Sequence, residues 1–351
     1  MRRVAKASSR SAAAVPQTLA GLLEQRVEDL RGFLRRALRT WDVDAIHQAR
    51  VTTRRLKAAV DLLRPLLPDE PVREFSRALR KLRRTLGPLR DVDVMLQHLD
   101  EVRGPAARGA GAGWVTGRLH ERRTELRRDA ARTLTPRKAL ARLEAWVDLE
   151  HEVRDAQSTA GPLLARVAPA QVRAFAARAD RVAAGPDAGP VDHANPPDAS
   201  PDDVHELRVA GKLLRYTLEL AEPLGHEVPR SVAKEFKALQ DALGLWHDYV
   251  VLTQEMLRMA IDGQLASRHP GLFGAVQELS RMCWKRSERH LVQFRKLWNE
   301  SGAALSERVA AAFAAPCAAP AEGVNREGAA PGGGANGEEV GDSQPTHDVT
   351  N

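Results

Sequence analysis

Two histidines each open a run of basic residues at helical spacing. His47 is followed by Arg50, Arg54 and Lys57, and His205 by Arg208, Lys212 and Arg215. Steps of three and four residues return to the same side of an α-helix, and each set falls within an arc of about 80° on a helical wheel. Arginine and lysine so arranged neutralise anionic oxygens, Arg as a planar fork of donors and Lys as a point charge. A further stripe follows each run: Arg73, Arg77, Arg80 and Arg84 after the first, Arg230, Lys234 and Lys237 after the second. One basic side chain per turn is one about every 5.4 Å of helix axis, a spacing that can track a linear polyanion. His47 and His205 sit beside the stripes at the amino-terminal ends of their helices. Free backbone N–H groups and the helix dipole favour negative charge there, which favours anion contact over a core or capping role.

The two runs belong to an internal repeat. DAIHQARVTTRRLKAAVDLLRPL (44–66) aligns with DVHELRVAGKLLRYTLELAEPL (203–224) with His47 on His205, which places Arg50 on Arg208, Arg54 on Lys212, Lys57 on Arg215 and Asp61 on Glu219. Downstream, RALRKLRRTLGPLRDVDV (77–94) aligns with KEFKALQDALGLWHDYVV (234–251), so that Gly87 meets Gly244 and Asp91 meets Asp248. His and Gly are 40 residues apart in one half and 39 in the other. A duplicated helix–turn–helix unit predicts two halves packed about a pseudo-twofold axis. The apolar face of the first helix, Ala49, Leu56, Val60, Leu63 and Leu67, lies beside the basic stripe rather than opposite it, which suits a groove between helices better than a solvated face. Asp91 and Asp248 fit helix capping or the orienting of an arginine better than acid catalysis.

Leu, Ala, Arg and Glu dominate, and no stretch alternates with period two, so the elements are helices. The predicted spans are 17–40, 44–67, 70–86, 88–103, 114–132, 136–156 and 169–183, then 203–222, 229–243, 245–262 and 270–299. Asp44 and Asp203 are candidate caps. Residues 1–14 are expected to be flexible, 15–182 to form the first helical repeat, the Pro-, Gly- and Asp-rich stretch 183–203 to be a linker, 204–315 to form the second repeat, and 316–351 to be a disordered acidic tail. The formal net charge is +7. The tail holds one Arg and six acids, so residues 1–315 carry +12. A basic body attracts polyanions without choosing among them, and with only 9 Lys among 53 basic residues the Arg content also fits genome base composition. Two cysteines, Cys283 and Cys317, make neither a disulfide framework nor a metal site, and no stretch has the long apolar run of a signal peptide or membrane span. The expectation is a soluble cytoplasmic protein.

The stretches IHQARVTTRRLKAAVDLLRPL with LGPLRDVDVML, and VHELRVAGKLLRYTLELAEPL with LQDALGLWHDYVVL, resemble the CHAD family, the conserved histidine α-helical domains, over nearly all of 15–300. The resemblance implies an all-α fold of two pseudo-twofold-related antiparallel four-helix bundles around a basic surface that binds inorganic polyphosphate, often at polyphosphate granules. It implies the ligands His47, Arg50, Arg54, Lys57, Arg77, Arg80, Lys81, Arg84 and Arg90 in the first half, and His205, Arg208, Lys212, Arg215, Lys234, Lys237 and His247 in the second. Arg90 becomes His247 and Arg84 becomes Asp241, so the stronger contacts are expected in the first half. Many relatives also carry a CYTH tunnel domain with a Glu-x-Glu-x-Lys signature. The nearest imitation here, Glu150 to Arg154, ends in Arg within a predicted helix, so a stand-alone CHAD member is expected.

Catalytic signatures are weak. Neither His151-Glu152 nor His205-Glu206 is completed to the zinc motif His-Glu-x-x-His, and there is no Gly-x-x-x-x-Gly-Lys-[Ser/Thr] loop. The expectation is a non-enzymatic polyphosphate binder with no cofactor or metal and no membrane association, whose other partners are granule proteins. The alternatives are a nucleic-acid-binding helical protein, although its 15 aromatics lack the interleaving that stacks single strands, a phosphohydrolase acting on polyphosphate, and a scaffold recruiting through the linker or tail.

Overall fold

The computed structural model describes residues 18–102, 109–184 and 201–314. The expected flexible residues 1–14, most of the 183–203 stretch and the 316–351 tail lie outside the described residues. Every described element is helical. The helices are α1 (Leu19–Thr40), α2 (Val43–Leu63), α3 (Asp69–Glu101), α4 (Ala110–Thr133), α5 (Pro136–Ala141), α6 (Val147–Asp155), α7 (Gln157–Ala184), α8 (Pro201–Leu218), α9 (Arg230–Asp262), α10 (Leu265–Arg268) and α11 (Pro270–Ala311), with short 3-10 turns at Arg64–Leu66, Arg142–Trp146 and Glu222–Leu224. None of them is long and apolar enough to cross a membrane.

The corner between α1 and α2 shows how local chemistry sets the entry to the site. Thr18 caps α1 by accepting from the Gly21 N–H, and Trp41 ends that helix in the left-handed region at φ 56°. Asp42, not Asp44, then caps α2 by accepting the Ala45 N–H at 2.8 Å. The other expected cap, Asp203, lies inside the first turn of α8. Asp44 and Asp203 thus both sit in a first helical turn rather than at the cap, where a carboxylate still complements the positive end of the helix dipole.

Larger corrections concern prolines and glycines. Helix breaks are predicted at Gly87-Pro88 and Gly244, yet α3 and α9 run unbroken for 33 residues each, about 50 Å. Pro88 offers no N–H to the Arg84 carbonyl, a defect of about 3 kcal/mol in an isolated helix. Burial of Leu86, Leu89, Val92 and Met95 on either side of it offsets that loss. Residues 157–168, predicted outside any helix, form the first part of α7 despite Pro162, because Ala160, Leu163, Leu164 and Ala168 are buried. Likewise α11 extends past 299 on buried Leu305 and Val309.

The fold is all-α, with two pseudo-symmetric antiparallel helical bundles. The first packs α1, α2 and the start of α3 against the segment α5–α6, and the second packs α7, α8 and the start of α9 against the end of α11. Each is pinned by a buried tryptophan whose indole N–H meets a carboxylate: Trp146 donates to Glu24, and Trp298 to Asp180 at 2.8 Å. One apolar core runs through both bundles. The far ends of α3 and α9 build a smaller core with α4, α10 and α11. At the seam between the halves α2 packs on α8 and α3 on α9.

One carboxylate ties this seam. Glu219, just past α8, meets Arg26 of α1 at 3.0 Å, Arg55 of α2 at 2.9 Å and Arg215 of α8 at 3.5 Å. Burial pushes the Arg26 guanidinium below its usual pKa against the pull of Glu219. Removing an acid from a largely buried cluster leaves uncompensated cations. Glu219→Gln is therefore expected to lower unfolding free energy by about 2–3 kcal/mol, discounted for the 21% exposure of that side chain. Asp61→Asn, at the repeat-equivalent position that pairs with Lys57 and is 47% exposed, is expected to cost less than about 0.5 kcal/mol. Urea titration followed by circular dichroism compares the two.

Candidate functional site

The seam gathers the chemistry. Arg50 and Arg54 project from α2, Arg208 and Lys212 from α8, Arg90 and Asp91 from α3, and His247 and Asp248 from α9. Asp91 and Asp248 lie inside long helices, which removes the capping alternative; each orients an arginine of its own half. Arg50 Nη2 donates to Asp91 Oδ1 at 3.2 Å, and Arg208 Nη2 lies 3.8 Å from Asp248 Oδ1. The second carboxylate oxygen of Asp248 faces the Nε2 of buried His98 at 3.4 Å, and the Nδ1 of His98 faces Glu101 at 3.1 Å. These two carboxylates hold the His98 pKa above its usual value against burial.

Gly87 is explained here rather than at a turn. A Cβ at that position would stand 2.5 Å from Arg50 Nη1, so the missing side chain is what lets the guanidinium lie against α3 and reach Asp91 one turn on. Gly244, its repeat mate, faces open space and carries no such duty.

Repulsion marks the site electrically. Burial, then Arg208 and Arg54, push the Lys212 ammonium down from 10.5 to about 7, with Arg50 adding to the effect and Asp248 opposing it. Burial followed by Arg208 lowers His247 to about 4, Lys212 and His205 contributing. His47 is lowered by burial and by Arg90, Arg54 and Arg50. Cations of both halves thus act on one another across the seam. Among the described residues, the Nε atoms of Arg50 and Arg208 and the Nδ1 of His47 are buried without a hydrogen-bond partner, the two arginines matching across the repeat.

On the first-half side a cavity of about 500 Å³ is lined by Arg50, Arg77, Arg80, Lys81, Arg83 and Arg84. Arg83 was not among the residues expected from the sequence; it lies three residues past Arg80 and four before Gly87, so its spacing was there to read. Other candidates are partly spent. Lys57 pairs with Asp61, Arg215 with Glu219, and Lys237 with Asp241, each at i,i+4. His205 is exposed, with its ring centroid 5.6 Å from that of His247, and Lys234 is exposed on α9. The second half has Ala238, Gln240 and Asp241 where the first has Lys81, Arg83 and Arg84.

The CHAD domain family model matches residues 21–257. The chain belongs to the CHAD domain family. An uncharacterized protein of Mycobacterium tuberculosis, matched in two strains, is 28% identical over 267 residues, 73% of this chain and 49% of its own. The chain therefore spans about half the length of the curated relatives it matches. Among solved structures, the CHAD domain from the plant Ricinus communis superposes with a TM-score of 0.57 at 20% identity, covering 90% of this chain and 96% of that one. PptA from Streptomyces chartreusis gives 0.54 at 19% identity, covering 81% and 99%. Both share the fold of this CHAD domain.

The depressed Lys212 gives a pH prediction. Its folded pKa of about 7 lies below its ordinary 10.5, so between those values the unfolded chain binds more protons and stability rises with pH. The penalty of the buried ammonium is full below pH 7 and gone above 10.5. Lys212→Met is expected to raise the melting temperature markedly at pH 6 and little at pH 10, measured by circular dichroism against the unmodified protein.

Proposed function

We propose that this CHAD domain binds inorganic polyphosphate without chemically altering it, and that the polymer carries it to cytoplasmic polyphosphate granules and their proteins. The carrying observation is the convergence of Arg50, Arg54, Arg90, Arg208 and Lys212 at one seam, where burial and then the neighbouring arginines push a lysine down to about 7. Such a site is relieved by dense negative charge, and each phosphate of a polyphosphate chain brings a charge with two free oxygens for Arg forks. The row Arg77, Arg80 and Arg84 along α3 suits a ligand that is linear and repeats.

Two features favour this reading over its rivals. The cavity-lining residues are all Arg and Lys, with no aromatic platform for stacking bases. The two carboxylates that pair with the cluster, Asp91 and Asp248, are engaged by Arg50, Arg208 and His98, so neither is placed as a free base for activating water.

Calorimetry with long-chain polyphosphate tests it. Binding is expected at low salt and should weaken linearly on a log–log plot as salt rises, since condensed cations are released. Single Arg50→Ala, Arg54→Ala, Arg208→Ala and Lys212→Ala changes are each expected to cost about tenfold in affinity, and the four together to abolish binding with helical circular dichroism intact. No heat and no competition by polyphosphate at low salt would overturn the reading. Stronger competition by DNA would point to nucleic acid, and phosphate release with Mg²⁺ or Mn²⁺ to hydrolysis.

A further inference from the structure

Lys81 and Arg84 line a second cavity besides the first-half one that Arg50 joins to the seam. It measures about 390 Å³ and is closed by Pro88 of α3, by Asp129 and Thr133 of α4, and by Arg142 at the start of the 3-10 turn after α5. The two cavities are therefore neighbours that share this pair of cations. Arg142 is half-buried and, like Lys81 and Arg84, has no carboxylate within 4.0 Å among the described residues. The one acid in the cavity, Asp129, is occupied by Arg132. The hydroxyls of Thr85 and Thr133 already donate to the backbone carbonyls of Lys81 and of Asp129 and Ala130. What remains available in this cavity is positive charge.

Resting on the polyphosphate reading above, we propose that the binding track continues from the seam past Lys81 and Arg84 into this cavity and ends at Arg142. The extension is one-sided. Ala238 and Asp241 stand where Lys81 and Arg84 stand in the repeat, and Asp241 already pairs with Lys237. A short anion fits on the seam cluster alone, whereas a long one also occupies the extension. Arg142 therefore sets a preference for chain length and leaves the affinity of the seam for short oligomers unchanged.

Competition calorimetry on the full chain, with long-chain polyphosphate and tripolyphosphate as probes, separates the outcomes. Arg142→Ala is expected to weaken the long polymer about 5- to 10-fold and to reduce its salt slope by about one, while tripolyphosphate affinity stays within about twofold. Arg142→Lys should restore most of the loss, since a point charge at that place serves a phosphate oxygen. An unchanged long-chain affinity overturns the extension, and so does an equal loss for both probes, which would mark Arg142 as a support of the fold. Absence of binding by the unmodified protein is a different result, and it removes the polyphosphate reading itself.

Discussion

Like charges forced together at a helix seam are the condition to which the surrounding structure answers. Arg50, Arg54, Arg208 and Lys212 come from two adjacent helices of different halves, and burial first, then the neighbouring cations, lowers the pKa of Lys212 and His247. Nothing about such a cluster is self-stabilising. It persists because Asp91 and Asp248 hold one arginine on each side, and because Glu219 gathers three further arginines at the edge of the same seam. The acids are placed to steady the cations without cancelling them.

The apolar framework supplies the rest. A continuous core joins both bundles beneath the seam, and α3 and α9 reach from it into a second core, so each long helix is anchored at both ends. Arg90 and Asp91 of α3, and His247 and Asp248 of α9, lie between the two anchors. Side chains in mid-helix positions clamped on both sides have little freedom to relax away from one another, which is how packing converts into electrostatic tension. Arg123 adds a brace at this level, bridging Asp93 of α3 at 2.5 Å and the Trp41 carbonyl at 3.1 Å.

Much of this was legible in the residues. The repeat, the helical class and the positions of α2 and α8 follow from periodicity, and the matched His, Arg and Lys of the two halves point to the seam. Local rules failed where burial outweighed them: Gly87-Pro88 and Gly244 read as breaks because Gly and Pro cost about 1 and 3 kcal/mol in an isolated helix, and each lies between apolar residues that the fold buries. Arg83 escaped because one stripe was followed along α3 while its neighbour also lines the cavity beside Arg50. The pairing of Lys57, Arg215 and Lys237 with acids four residues on was written in the sequence as well. Those acids reach their partners along a single helix or one residue past its end, so the four-residue spacing alone is enough to pair them.

The inequality between the halves has a kinetic side. The seam is pseudo-symmetric, but the uncompensated arginines of α3 have no equal on α9, so the electric field around the molecule is lopsided. On the proposed binding of polyphosphate, an approaching chain is drawn first toward the Arg77–Arg84 face and is oriented there before it touches the twofold centre. Under that proposal, diffusional capture is governed by one half and retention by both.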